Sequence, residues 1–335
     1  MQSFHSRRRF LAGLTATAAA GFIDAPKPSF AEEPPEIARV RVSVWPKIAD
    51  CGMPIYVAEE MLRAEGFTDI QFVTAGTSLN PMTWLADGDI DFDWDYAPEL
   101  ARRIASDTPM KVLAGLHAGC LELIADRRVG SVKELKGKRV GINELNSPVH
   151  ILVYMMAAHV GLDPAKDIEW VAGPDPLNLL AEGKIDAFLG SAPEPQMARA
   201  RNIGHVILNT ALDRPWSQYF CCMLAGNADY VKNYPVATKR VLRAVLKSVD
   251  LCVSDPQRAA RLAADKGLAS SYDYALQALA EVRFDKWRDY DPEDTMRFYS
   301  LRLREAGMIE ASPEKIIADG TDWRFLNELK REMKT

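Results

Sequence analysis

Two stretches of the chain carry the same hydrophobic rhythm 95 positions apart. LADGDIDFDWDYAPE, residues 85–99, and LAEGKIDAFLGSAPE, residues 180–194, match at Leu85/Leu180, Ala86/Ala181, Gly88/Gly183, Ile90/Ile185, Asp91/Asp186, Ala97/Ala192, Pro98/Pro193 and Glu99/Glu194. Their surroundings match in kind. RVRVSVW (39–45) and KRVGIN (138–143) are short β-branched runs, each followed by helical spacing that ends at a glycine, Met53 to Gly66 and Pro148 to Gly161. DIQFV (69–73) and DIEWV (167–171) come next. Each half therefore predicts strand, helix, strand, helix, strand: a pair of βαβ units on a parallel sheet. Past residue 225 the period becomes helical, first in YPVATKRVLRAVLKSVDLCV (234–253), which opens with Pro235 near a helix start, then in segments near 256–266, 270–281, 291–306 and 321–333, with no third repeat.

The first copy adds something to the shared pattern. Asp89, Asp91, Asp93 and Asp95 alternate with Ile90, Phe92, Trp94 and Tyr96, the period of a strand with one polar face. Carboxylates in a row repel and are costly to bury unpaired. The repeat sorts them. Asp91 has its counterpart in Asp186, which predicts a structural role common to both halves, tying down the next loop. Asp89 corresponds to Lys184 at a turn, so its charge is replaceable. Asp93 and Asp95 correspond to Phe188 and Gly190 and are special to the first half, near the carboxyl end of the strand. Open parallel sheets bind ligands at that end, and two such sheets facing each other would share a cleft suited to a small molecule.

The N-terminus is read apart from the fold. Ser6, Arg7, Arg8, Arg9, Phe10 and Leu11 precede an Ala-rich apolar run ending at Phe22, the pattern of a twin-arginine export signal over residues 1–31, with cleavage expected after Ala31. The run is shorter than the roughly 20 residues a membrane span needs, and stable membrane insertion is not expected. Residues 32–335 carry 37 of the 41 basic and 45 of the 46 acidic side chains, a net charge of −8. No basic stripe suggests nucleic acid. Five cysteines, at 51, 120, 221, 222 and 252, are odd in number and scattered, a spacing that signals neither a disulfide framework nor a metal site. They are read as small buried hydrophobes, with no cofactor and no metal expected.

PIYVAEEMLRAEGF, WLADGDIDF, SVKELKGKRVGI, EGKIDAFLGSAPEP and ADYVKNYPVATKRVLRAVLKS, spread over residues 38 to 265, resemble the periplasmic substrate-binding proteins of ABC importers. The resemblance is to the branch that handles aliphatic sulfonates, taurine, nitrate and thiamine-precursor pyrimidines. It implies a two-lobed periplasmic-binding-protein fold of type II in the α/β class, each lobe a βα-repeat sheet, with a helical C-terminal tail. Lobe 1 is expected over 32–120 with 225–335 packed mainly on it, and lobe 2 over 121–224. Two crossings, near Gly119–Ile124 and Tyr219–Ala225, would let the lobes close over a ligand.

Several residues would face that cleft. Trp45 ends the first strand, Trp94 and Tyr96 end another, and Trp216 and Tyr219 lie at the return crossing; flat rings could sandwich a planar ligand or meet a cation, or be core aromatics. Asp93 and Asp95 could accept hydrogen bonds from amines or ring N–H groups, or cap backbone. Ser147 is an N-cap before Pro148, with Asn146 beside it, an arrangement that exposes backbone donors; Ser78 and Asn80 could do the same in the first lobe. His117 precedes the first crossing, His150 lies on the first turn after the cap, and Ser191 and Glu194 lie on the loop matching Tyr96 to Glu99.

Carboxylates beside aromatics favour a small, polar, nitrogen-containing planar ligand or an amine, delivered to an ABC permease by a periplasmic monomer without catalysis. An anionic sulfonate or carboxylate is the alternative if Lys47 and Arg214 point inward. A second alternative is an enzyme on this fold. The eukaryotic thiamine pyrimidine synthase is similar in plan and has a cysteine-rich iron-associated motif that FCCML (220–224) resembles, but only Cys221 and Cys222 are adjacent here, and on a strand they would face opposite sides. Pyrimidine-handling relatives carry an Asn-His pair where this chain reads Asp50-Cys51-Gly52. A ligand sensor would need the same closing cleft.

Overall fold

The computed structural model describes residues 32–45, 51–74 and 83–333. The export signal assigned to 1–31 and the candidates Ser78, Asn80 and Lys47 lie outside them. The chain opens with strand β1 (Arg39–Val44), helices α1 (Met53–Tyr56) and α2 (Glu59–Ala64), strands β2 (Asp69–Thr74) and β3 (Phe92–Tyr96), helix α3 (Ala97–Ala105) and strand β4 (Met110–Ala118). It continues through β5 (Leu121–Ala125), β6 (Lys138–Ile142), α4 (Pro148–His159), α5 (Pro164–Asp167), β7 (Ile168–Ala172), α6 (Pro176–Ala181), β8 (Ala187–Ser191), α7 (Glu194–Arg201), β9 (His205–Asn209) and β10 (Phe220–Asn227). Helices follow: α8 (Ala228–Asn233), α9 (Pro235–Ser254), α10 (Pro256–Asp265), α11 (Tyr272–Glu281), α12 (Pro292–Glu305), α13 (Pro313–Gly320) and α14 (Arg324–Glu332). The pattern along the chain located the repeated strands and the longer helices; α3, β4, α5, α7, β9, α8 and α13 were not among the elements it singled out.

The strands form two five-stranded sheets, ordered β2-β1-β3-β10-β4 and β7-β6-β8-β5-β9. The βαβ units are parallel as the repeat predicts, β1 with β2 and β3, and β6 with β7 and β8. Both sheets are nevertheless mixed. β5 enters the second sheet antiparallel to β8 and β9, and β10 returns between β3 and β4, antiparallel to both. A strand arriving from the other lobe enters its new sheet from the opposite end, which the repeat alone does not encode.

The repeat has an atomic counterpart. In lobe 1, Asp91 Oδ2 accepts the backbone N–H of Arg41 at 2.7 Å, and its two oxygens take the Arg41 guanidinium at 2.7 and 3.3 Å. In lobe 2, Asp186 Oδ2 accepts the N–H of Arg139 at 2.9 Å, and the guanidinium docks at 2.9 and 3.1 Å. The matched aspartates thus fasten the strand beside them, rather than the loop after them as expected, through a bidentate pair and a backbone bond.

Two crossings join the sheets. The first is Gly119–Cys120, between β4 and β5; the second runs from Thr210 to Tyr219, between β9 and β10. They are stitched together: Thr210 Oγ1 accepts the N–H groups of Cys120 (3.1 Å) and Leu121 (2.9 Å) and donates to Leu121 O. Gly119, at φ +58, presses so closely on the second crossing that a Cβ there would lie 2.2 Å from Ala211 Cα. Only glycine accepts both the left-handed backbone and that approach.

The C-terminal helices cover lobe 1. Along α9, Val241, Leu242, Val245, Leu246 and Val249 are buried, and the helix packs on α1, α2 and β4. Arg243 and Lys247, one turn apart, clamp the buried Glu65 carboxylate at 2.8 and 2.7 Å. α12 touches helices of both lobes, α3 and α4, and α3 itself packs on α4.

Candidate functional site

Tyr96 ends β3 and His117 lies near the end of β4, so sheet order brings them to the carboxyl edge of lobe 1, where the first crossing begins. Cys51, just before α1, reaches the same place: its sulfur lies 4.0 Å from Tyr96 Oη and 3.1 Å from Cys120 Sγ. Cys120 Sγ in turn lies 3.0 Å from Cys221 Sγ at the start of β10. Cys51, His117, Cys120 and Cys222 each present a ligand atom, all within 4.8 Å of one another. His117 is fully buried, and neither ring nitrogen meets hydrogen-bond geometry with a neighbour.

Here the sequence-based expectation is corrected. Four of the five cysteines are not separate small hydrophobes but one cluster, with Cys252 on α9 outside it. Cys221 and Cys222 do not diverge as strand neighbours should, because the pairing of β10 with β4 slips register on both sides of Cys222. Such a bulge re-aims side chains, and both thiols meet Cys120. The four side chains come from three stretches of chain, at 51, 117–120 and 222, too far apart for a local spacing rule to unite.

The cluster's protons are shared unequally. Burial pushes every thiol up, but hydrogen bonds from Cys120 and Cys222 and the charge of the nearby His117 imidazole hold Cys51 well below the ordinary range, and hydrogen bonds from Cys120 and Cys222 bring Cys221 down to about 5. Cys120 and Cys222, buried beside these two, are pushed well up. Adjacent thiols cannot all ionise without like-charge repulsion, so two hold the protons that the other two accept. Burial alone would lower the His117 imidazole, yet the facing Cys51 sulfur raises it.

The other candidates divide. Asp93 is spent on the fold. Its carboxylate accepts Ser43 Oγ (2.6 Å), the Trp94 N–H (2.9 Å), Trp84 Nε1 (3.3 Å) and the buried Arg103 guanidinium (3.0 Å). Trp94 is likewise buried, its indole donating to Ser43 O. Trp216 packs among His159, Phe298 and Tyr299 between α4 and α12, with 3% of its surface exposed, and offers no free face. Tyr219 stacks on Phe298 at 4.0 Å. Trp45 is half-buried, edge-on to Trp84.

Asp95 is half-buried, accepts the Tyr96 N–H at 2.7 Å, and lies 3.7 Å from Arg103. Burial, then the Glu99 and Asp93 carboxylates, push its pKa well up against the lowering effect of Arg103. In lobe 2, Ser147 caps α4 by accepting the His150 N–H at 3.3 Å. His150 Nδ1 accepts the Asn146 N–H at 3.0 Å, and burial lowers the ring's pKa. His150 is therefore a neutral brace for Asn146, which sits at φ +65. Ser191 ends β8, and its N–H is accepted by Glu194; burial, chiefly, raises Glu194 to about 7, with Asp175 adding to it. Arg214 is exposed on the second crossing.

Two α/β sheets joined by paired crossings define the periplasmic-binding-protein fold, and known structures agree. The periplasmic nitrate-binding protein NrtA from Synechocystis PCC 6803 superposes with a TM-score of 0.72 at 14% identity, over 90% of each chain. The periplasmic sulfonate-binding protein SsuA from Methylobacillus flagellatus KT gives 0.66 at 18%, over 88% of this chain and 94% of that one. The desulfurization enzyme DSZB gives 0.61 at 13%, over 88% and 100%. The chain belongs to the NMT1/THI5 like family, whose sequence model matches residues 53–259. No curated protein sequence matches it.

Proposed function

We propose that this chain is the exported solute-binding component of an ABC importer, closing two lobes over a small molecule without chemistry on it. The observation that carries this is the paired crossing, Gly119–Cys120 against Thr210–Ala211, which couples the two sheets at one joint while leaving each with its own core. The nitrate- and sulfonate-binding neighbours support the role, although an enzyme shares the fold. The ligand is polar and nitrogen-bearing, planar or an amine, held between Trp45, Asp95 and Tyr96 of lobe 1 and Asn146, Ser147, Ser191 and Glu194 of lobe 2. A thermal-shift screen of amines, pyrimidines, sulfonates and aromatic acids tests it, since tight ligands raise the melting temperature by mass action. Calorimetry on Trp45→Ala should then show weakened binding of the hit by a folded protein; parental affinity would reject the pocket.

An anionic ligand is the second reading, favoured by the capped N-terminus of α4 and by the burial that disfavours the charged form of Asp95. The pH dependence separates them. With Glu194 titrating at about 7, amine affinity should rise through neutrality and anion affinity fall. Delivery to the periplasm by the twin-arginine route is part of the proposal: replacing Arg7 and Arg8 by Lys should leave the precursor in the cytoplasm, and normal export would remove that part.

A further inference from the structure

We propose that Cys51, His117, Cys120 and Cys222 form a zinc site at the joint between the lobes. A zinc ion bound tetrahedrally at about 2.0–2.3 Å holds its ligand atoms roughly 3.3–3.8 Å apart. The four donors already lie within 4.8 Å of one another, so side-chain rotation of less than 2 Å closes the shell. Three sulfurs and one imidazole are a donor set that selects a soft or borderline d10 cation over calcium or magnesium, and four protein ligands with no open position are typical of structural zinc.

Two observations besides proximity point to a cation. His117 is 0% exposed and leaves both ring nitrogens without a hydrogen bond, a costly arrangement that a metal bond would relieve. The sulfurs of Cys51 and Cys120, and of Cys120 and Cys221, stand 3.1 and 3.0 Å apart, far beyond an S–S bond of about 2.05 Å. Sulfurs so placed must share either protons or a cation. Cys221 stands outside the four-atom set beside Cys120, where its thiol can donate to a metal-bound sulfur as an outer support.

The location gives the ion a consequence. Its ligands would come from the segment before α1, the end of β4, the first crossing and the start of β10, so one ion would bind both paths between the lobes to the first sheet. Binding deprotonates the thiols and releases their protons to solvent. None of this requires the importer reading; a chain that bound no small molecule would still bind zinc here.

The test uses residues 32–335, purified with a non-chelating reductant, stripped of metal and titrated with Zn2+ against a chromophoric chelator. One equivalent per chain is expected, with a raised melting temperature and an X-ray absorption shell of three sulfurs and one nitrogen on the loaded parent protein. Cys51→Ser and His117→Gln should each weaken binding by more than about 100-fold, Cys221→Ser by about 10- to 100-fold, and Cys252→Ser not at all. An oxygen-rich shell, no stoichiometric binding, or a Cys51–Cys120 or Cys120–Cys221 disulfide in the exported protein would overturn the proposal. The absorption shell needs no variant, so a variant that fails to fold leaves the test intact. Co2+ in place of Zn2+ provides a second readout, the visible spectrum of a tetrahedral thiolate-bound ion.

Discussion

Asp93→Ala separates a residue that builds lobe 1 from one that meets a ligand. The Asp93 and Arg103 side chains are 1% and 4% exposed and 3.0 Å apart. Truncating one member of a buried ion pair leaves the other charge uncompensated, at a cost of about 3–5 kcal/mol. Asp93 also accepts from Ser43, Trp84 and the Trp94 backbone, which argues for the upper end. Against this, Asp95 lies 3.7 Å from the same guanidinium, and the Asp93 carboxylate is one of the neighbours, after burial and Glu99, that push its pKa up. Once Asp93 is gone that repulsion is lifted and the Asp95 carboxylate can compensate Arg103 in part, which draws the expected loss toward about 3 kcal/mol. For a chain of this size that is about a 6 °C fall in Tm. Adding Asp95→Asn removes the rescue, so the double variant should lose more than the sum of the singles. Urea denaturation and calorimetric melting of the three variants measure this directly, and ligand affinity of Asp93→Ala, taken well below its Tm, should match the parent. A variant that melts like the parent but no longer binds ligand would refute the reasoning, as would strict additivity.

The repeated clamps should differ in worth by their burial: Asp91→Ala, whose side chain is 6% exposed, should cost about 2–3 kcal/mol, and Asp186→Ala, at 14%, about 1–2, measured by urea denaturation. Glu194 has a folded pKa near 7 against 4.5 for an ordinary glutamate; burial thus favours its protonated form, and its charge lowers stability progressively as pH rises from about 4.5 to 7. Glu194→Gln should therefore melt higher than the parent above pH 7 and close to it below pH 4.5. Gly119→Ala should cost about 2–4 kcal/mol in chemical denaturation, because its Cβ meets Ala211 backbone at 2.2 Å and its φ is +58.

Much of this fold is local in origin and so was readable along the chain. The 95-residue repeat predicted both sets of parallel strands and a shared structural role for Asp91 and Asp186, and the Ser147-Pro148 pair predicted the cap of α4. What escaped depends on contacts between distant segments. Asp93 and Asp95 look alike on an alternating strand, and only the placement of Arg103 one helix later decides that one is buried and saturated. Trp216 lies on a crossing, yet α12, some 80 positions on, covers it. The cysteines meet because three segments converge and a register slip turns Cys221 and Cys222 together. Unpaired His117 beside them is the feature that a search for scattered Cys and His, ignoring spacing, could have raised.

The central claim is that one ligand is held by both lobes at their shared joint. A crystal structure of the protein with the compound returned by the thermal-shift screen tests it most directly. The account predicts that compound in contact with Tyr96 or Asp95 on one side and with the Asn146–Ser147 turn or Glu194 on the other. A tightly bound compound touching a single lobe, or seated outside the joint, would contradict it.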